Sequence, residues 1–311
     1  MTESRSGPVF IAVGGGKGGV GKSFVTASLA LSLARDGART GARVAAVDLD
    51  LGGSNLNLFL GEPHPERELA DFVDGRVETL GEILQPTRLP NLRYVAGSFD
   101  MVTALDPLRE RKLDLIRALV GLDADFVLLD LQAGATPVTL DFYFLGDVKL
   151  LVTNPEATAF HNAYGFLKNY VLRRILTELR DRREALHFVL EYYRGTSDEP
   201  VPDRTITALV AELRARFPEV EPEVEGILEY DAPLLVLNRV RDRDERQYLD
   251  RFRAVVEQNL ALRCPELGTI PEDKRVGRAT RDGRPFVLAH PRHPIARRFS
   301  EWATRLTRAR S

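Results

Sequence analysis

An α/β fold, a mainly parallel sheet doubly wound by helices, is what the sequence predicts, and three observations predict it. Apolar runs recur along the chain, helix-period patterns lie between them, and a glycine-rich turn joins the first run to the first helix. The runs are Val9 to Val13, Val44 to Val47, Leu92 to Val95, Phe126 to Leu129, Val148 to Val152, Leu234 to Leu237 and Leu267 to Ile270. Most are apolar on successive residues rather than alternately, the pattern of a strand covered on both faces. Between them Val25, Leu29 and Leu33, or Leu113, Ile116, Leu119 and Val120, repeat at helical spacing. Strand alternating with helix implies right-handed crossovers and ligands bound at the carboxyl ends of the strands.

One interval breaks the rhythm. About eighty residues separate the run ending near Thr153 from the one beginning near Leu234, too many for one crossover helix. We expect a helical insertion over 160–231 within one domain spanning 1–311. Phe160, Tyr164, Leu167, Val171 and Ile175 form one stripe in it, and Ile206, Leu209, Val210 and Leu213 suggest another. Between the two stripes, Gly195 to Asp203 reads as an exposed loop.

Composition excludes several classes. With 311 residues and 44% hydrophobic content, the chain can bury a full core. The 43 Lys+Arg against 45 Asp+Glu give a net charge of -2, so no global field draws it onto nucleic acid or anionic lipid. A single cysteine, Cys264, leaves no internal disulfide, CxxC zinc pair or Cys-ligated cluster. Met1 to Gly7 has no apolar signal region, and no stretch approaches the roughly 18 apolar residues of a membrane span. The expected setting is the cytoplasm.

Directly after the first run comes Gly14-Gly15-Gly16-Lys17-Gly18-Gly19-Val20-Gly21-Lys22-Ser23, and an apolar helix starts at Phe24. Gly16 to Ser23 satisfies G-x-x-x-x-G-K-[ST] in the required strand–loop–helix context. Glycines let backbone N–H groups close around phosphate oxygens, and the helix N-terminus adds positive potential. Lys22 reaches the β and γ phosphates, and the Ser23 hydroxyl can ligate Mg²⁺. A second lysine inside the loop, Lys17, is not needed for that task and suggests a role toward another subunit.

The string Lys17-Gly18-Gly19-Val20-Gly21-Lys22-Ser23 resembles the deviant Walker A motif of the MinD/ParA class of P-loop NTPases. The resemblance implies an ATP-dependent homodimer in which Lys17 contacts the nucleotide of the opposite subunit, a purpose analogous to an arginine finger. It extends to Asp48-Leu49-Asp50-Leu51-Gly52-Gly53-Ser54-Asn55 after the second run, similar to the family's first switch, where Asp50 would orient the attacking water and Asp48 would sit near the metal. An aspartate in that position also commonly caps the following turn. Phe126 to Asp130 is similar to a Walker B strand, with Asp130 reaching Mg²⁺ through water, and Leu131-Gln132-Ala133-Gly134 resembles the second switch of MinD and its flagellar relative. Gln132 stands where those proteins usually carry a small residue or proline. Thr153-Asn154-Pro155-Glu156 is similar to a further element of MinD. Asn238-Arg239 and Pro271-Glu272-Asp273 resemble the base-recognition segments, where an Asn amide can pair with the adenine edge. The nucleotide-binding set is then Gly16, Gly18, Gly19, Val20, Gly21, Lys22, Ser23, Phe24, Asn238, Arg239, Pro271, Glu272 and Asp273, the metal set Ser23, Asp48 and Asp130, and the catalytic set Lys17, Lys22 and Asp50.

The resemblance implies an ATPase acting as a dimerisation switch that positions or regulates assembly of a cellular structure through a regulatory or cargo protein. The alternative is a ParA-type DNA-segregation ATPase binding DNA non-specifically in its ATP state. Arg173, Arg174, Arg180, Arg182 and Arg183 could touch DNA, but Glu178, Asp181 and Glu184 interleave them, which favours a solvated helix face. A third class, metabolic relatives with the same loop, is disfavoured by the lone Cys264 and by only Tyr230 and Tyr248 near the end of the chain. Ile295, Phe299, Trp302 and Leu306 form an apolar face on the last helix, with Arg297, Arg298, Arg305, Arg308 and Arg310 elsewhere on it. We expect that face to pack on the core rather than on lipid, so membrane contact is not expected.

Overall fold

The computed structural model describes residues 7–50, 52–97, 111–194 and 204–308. Its elements begin with β1 (Val9–Gly14), α1 (Lys22–Thr40), β2 (Val44–Asp48), α2 (Leu56–Leu60), α3 (Leu69–Val73), β3 (Gln85–Pro86) and β4 (Leu92–Val95). There follow α4 (Lys112–Val120), β5 (Phe126–Asp130), α5 (Pro137–Phe144), β6 (Val148–Thr153), α6 (Ala157–Glu178), α7 (Arg183–Arg194), α8 (Ile206–Arg216) and α9 (Glu221–Tyr230). The chain closes with β7 (Leu234–Val240), α10 (Arg243–Leu260), β8 (Glu266–Pro271), α11 (Lys274–Arg281), α12 (Phe286–Ala289) and α13 (Pro294–Arg308).

The strands form one eight-stranded sheet in the order β3-β4-β2-β5-β1-β6-β7-β8. Every pairing is parallel except that of β3 with β4. β1 lies between β5 and β6, so strand order departs in opposite directions on its two sides, and the β1–α1 turn opens where it reverses. Register levels the strand ends there: Val13 and Asp48 both pair with Asp130.

The uninterrupted apolar runs became β1, β2 and β5, buried at every position because a helical layer covers each face of the sheet. One layer is α1 with α13, built on Val25, Leu29 and Leu33. Ile295, Phe299, Trp302 and Leu306 close it at 1%, 0%, 5% and 4% exposure, which identifies α13 as a core helix. Burying each such side chain stabilises the fold by about 1.5–3 kcal/mol. No helix among the described residues is long and apolar enough to cross a membrane. The other layer holds α3 to α6, with α8, α9 and α10 packed onto α6.

One expectation needs correction, and one strand was not foreseen. In α4 the buried side chains are Leu115 and Leu119, whereas Leu113 and Val120 are 60% and 52% exposed. The helix exists, but a different stripe, spaced by one helical turn, meets the core. β3 carries no apolar run: its two residues pair at the sheet edge, where the missing N–H of Pro86 is tolerated. Four of the five insertion arginines have carboxylate partners, two of them shared with a lysine. Arg173 pairs with Asp141 at 2.6 Å, Arg174 with Asp231 at 2.8 Å, Arg180 with Asp181 at 3.3 Å and Arg182 with Glu223 at 3.1 Å. Leu51, the loop Gly195 to Asp203 and Arg310 lie outside the described residues.

Candidate functional site

The glycine-rich turn leaves β1 and enters α1, and its glycines divide by task. A Cβ on Gly16 would lie 2.0 Å from the Asn162 carbonyl oxygen, so this glycine exists because the loop presses against the backbone of α6. Gly21, at φ +100°, would drive a Cβ to 2.1 Å from the Asn238 amide nitrogen. Gly18 and Gly19 face open space on the outer side of the loop. Lys22 is folded inward at 7% exposure, and Val20 at 1% anchors the loop tip. The second-switch segment is tied to this loop through backbone alone, Gly134 N–H donating to the Gly15 carbonyl at 3.1 Å.

Beneath the loop sit two buried carboxylates, Asp48 and Asp130, at 0% and 1% exposure. Burial pushes both pKa values up; the Asp48 charge raises Asp130 further while the Ser23 hydroxyl, Lys22 and Thr26 pull it down, and at Asp48 hydrogen bonds from Asp50, Ser54 and Leu56 oppose burial. One Asp130 oxygen accepts from Thr26 Oγ1 at 3.2 Å, while Oδ2 is buried with no hydrogen-bond partner. An orphaned carboxylate oxygen beside a second carboxylate and a serine hydroxyl is a donor set that fits a divalent cation. No group of three or more His, Cys, Asp or Glu side chains is assembled among the described residues. That suits Mg²⁺, which takes few protein ligands and completes its shell with water and phosphate. Asp48 is committed differently. Its Oδ2 accepts from Ser54 Oγ at 2.7 Å and from the N–H groups of Asn55 and Leu56 at 3.2 Å, and its Oδ1 accepts from Asp50 N–H at 2.9 Å. Asp50 is half-buried, and its Oδ1 accepts the local Gly52 N–H at 3.2 Å.

Lys17 points away from Lys22. Its ammonium donates to Glu156 Oε2 at 2.8 Å and to Thr158 Oγ1 at 2.9 Å, with the two charged side chains 36% and 52% exposed. Lys17 holds the Glu156 carboxyl below the usual range, and Asn154 adds a 3.0 Å hydrogen bond to its other oxygen. An ion pair this open to solvent is weak and readily exchanged.

Beside Gly21 opens a cavity of about 650 Å³ lined by Phe24, Asn238, Arg239, Pro271, Glu272 and Asp273 among others. Asn238 is buried, donates to the Val20 carbonyl at 2.8 Å and accepts from Arg239 N–H at 2.9 Å, which leaves one amide hydrogen and one lone pair. Arg239 takes φ +58°, a left-handed conformation that costs a non-glycine residue about 1–2 kcal/mol and turns the chain at the cavity wall. Asp273 caps α11 and pairs with Arg275 at 2.7 Å, which drives its pKa down to about 2. A larger cavity, about 810 Å³, lies near Arg43, Arg93 and Arg111 at the amino end of β2 and β4 and contains none of the motif residues.

Residues 11–286 match the model of the CobQ/CobB/MinD/ParA nucleotide binding domain. The chain belongs to this family. The antiactivator FleN of Pseudomonas aeruginosa is 29% identical over 221 residues, covering 71% of this chain and 73% of FleN. The MinD of Pyrococcus horikoshii, solved with Mg-ADP, superposes with TM-score 0.61 at 23% identity, over 98% of this chain and 99% of that one. The MinD chain of the Aquifex aeolicus MinC:MinD complex gives 0.58 at 19% identity, over 96% and 95% of the two chains. These two share the fold.

Within this MinD/ParA-type frame the structure brings Lys17, Lys22, Ser23, Asp48, Asp50 and Asp130 to the carboxyl ends of β1, β2 and β5, and the Asn238 and Pro271 segments to the adjoining cavity. Sequence reasoning missed Thr26, Ser54 and Thr158. Thr26 follows Lys22 by one helical turn on α1 and could have been found by that spacing. Ser54 stands inside the first-switch string, but its bond to Asp48 is not marked there; Thr158 carries no such signal, because it acts across a contact closed only in three dimensions.

Proposed function

We propose that this chain binds ATP with Mg²⁺, hydrolyses it slowly, and uses the ATP-bound state to pair with a second copy and recruit a regulatory or cargo protein that stimulates turnover. The observation that carries the reading is the opposed placement of the two loop lysines. Lys22 is buried where phosphates would sit, whereas Lys17 stands at the rim, held by solvent-exposed Glu156 and Thr158. Lys22 and the loop N–H groups would hold the β and γ phosphates; Ser23 and Asp130 would hold the Mg²⁺, with Asp48 acting on it from its hydrogen-bonded seat. The metal supplies charge neutralisation on the phosphoryl group. Asp50 would hold the attacking water in line, and Lys17 would leave its contacts to reach the partner copy's nucleotide. The P. horikoshii MinD with Mg-ADP and the A. aeolicus MinD with MinC support the cofactor and the partner, as does the antiactivator role in FleN's name.

In this reading residues 1–311 act as one domain, with 160–231 as its helical insertion, in the cytoplasm, where Cys264 stays a buried thiol. The DNA-segregation alternative is less supported, since Arg173, Arg174, Arg180 and Arg182 already have carboxylate partners. Lys17→Ala tests the proposal. We expect ATP affinity within a few-fold of wild type by calorimetry, and no ATP-dependent dimer by sedimentation. A stable ATP dimer of that variant would reduce Lys17 to a loop residue.

A further inference from the structure

Two aromatic rings line the cavity beside Gly21, Phe24 and Phe59, and the second comes from none of the motifs. Phe24, Phe286 and Phe299 form a block with centroid separations of 6.2 Å and 5.7 Å from Phe24, and all three are buried, at 5%, 4% and 0% exposure. Phe59 joins the block edge-on, 5.9 Å from Phe24 at 64°, and also lines the cavity. Unlike the other three it is only half-buried, so it is the ring with surface left to offer. Asn238 and Pro271, a flat amide and a rigid apolar ring, line the same cavity. An aromatic ring and an amide in one cavity are the chemistry that holds a heteroaromatic base by its face and its edge.

Phe59 belongs to α2, and the ends of α2 are fixed at different places. Its first turn hangs from Asp48, whose Oδ2 accepts the Ser54 hydroxyl and the N–H groups of Asn55 and Leu56. Its far end closes at Gly61, φ +80°, against Pro285, and Arg88 donates to the carbonyls of Gly61 and Gly283 at 3.5 Å. One short helix therefore spans the distance from the buried acid pair to the aromatic block.

We infer that Phe59 is the face-on contact for the nucleobase, and that α2 is a strut through which an occupied base cavity braces Asp48. The inference rests on the proposed nucleotide site and adds to it a base-binding residue and a mechanical link between base and metal ends. It is tested by calorimetry on the full chain in Mg²⁺, with ATP, ADP and inorganic triphosphate as ligands. Wild type should bind ATP more tightly than triphosphate. Phe59→Ala should weaken ATP and ADP about tenfold or more, the usual scale of one lost base–aromatic contact, and leave triphosphate affinity unchanged. Phe59→Leu, which keeps apolar volume in the block, should show the same selective loss, while Phe59→Tyr retains affinity. The Mg²⁺ concentration needed for ATP binding should rise in Phe59→Ala, with no such rise for triphosphate. An unchanged ATP-to-triphosphate ratio in both the Ala and Leu variants, or equal weakening of both ligands, overturns the base contact. An unchanged Mg²⁺ requirement overturns the strut. A wild-type chain binding both ligands equally overturns base recognition in this cavity and spares the phosphate loop; one binding neither undoes the nucleotide reading itself.

Discussion

Replacing Asp130 by Asn should stabilise the nucleotide-free protein at neutral pH and abolish its response to Mg²⁺–ATP. Asp48 and Asp130 face each other in the β2–β5 register, and neighbouring strands run about 4.8 Å apart. At that separation, with an effective dielectric of about 20, two ionised carboxylates repel by roughly 3 kcal/mol. Both are buried, which adds to the cost of charging them. The asparagine keeps an oxygen for the Thr26 hydroxyl and removes the charge. Because Lys22 partly compensates that charge and the wild type escapes part of the repulsion by holding a proton, the expected gain at pH 8 is about 1–3 kcal/mol. In a chain of this length that raises Tm by a few degrees. The sign of the pH dependence follows from the raised native pKa. Above the ordinary carboxylate range native Asp130 binds more protons than the unfolded chain, so wild-type stability falls as pH rises through that window. The variant loses the Asp130 share of that fall and keeps that of Asp48, so the two stability curves should converge toward pH 4 and separate toward pH 8. Thermal unfolding at pH 5 and pH 8, with and without ATP and Mg²⁺, reads all of this. A variant less stable than wild type at pH 8 without nucleotide, or one that keeps the full Mg²⁺-dependent gain, would refute the paired-acid argument.

Three further outcomes are expected. Lys22→Ala should lose both ATP and ADP binding, because the buried cation is the principal compensation for phosphate charge; near-normal calorimetric affinity would contradict the phosphate-loop assignment. Asp50→Ala should bind ATP and dimerise but hydrolyse ~10²–10⁴ more slowly in single-turnover assays, with dimer accumulating; wild-type turnover would move the water-positioning role to Asp48. Gly16→Ala should destabilise by about 3 kcal/mol or more, since the added carbon would sit 2.0 Å from the Asn162 carbonyl and neither backbone can yield cheaply; chemical denaturation checks it, and a loss below 1 kcal/mol would show that the loop and α6 are not in rigid contact.

What could be read in the chain alone was whatever depends on near neighbours. The strand runs from Val9, Val44 and Phe126 are legible because a strand covered on both faces has no polar side to display. The loop from Gly16 to Ser23 is legible because phosphate binding fixes residue types at fixed spacing. The α4 face was misread because Leu113 and Val120 satisfy helical spacing as well as Leu115 and Leu119 do, and only the position of α3 and the sheet decides between them. The glycines hid a second demand: Gly16 yields to Asn162 and Gly21 to Asn238, partners more than a hundred residues away in sequence. The outward hold on Lys17 was equally invisible, although Glu156 lies inside a segment already singled out, because nothing local says which of two lysines turns inward.

The hydrogen bond from the Gly134 amide to the Gly15 carbonyl has a consequence for how freely this segment can vary. Since both groups are main chain, no side-chain exchange can delete the link; only a change that displaces the backbone, such as filling Gly134 at its φ of +91°, can do so. Gln132, exposed just ahead of it, is thereby released from internal duty. A residue in that situation can be retuned to suit whatever docks there without disturbing the grip on phosphate. Divergence among paralogues would then accumulate at the tip of the segment while its hinge stays constant.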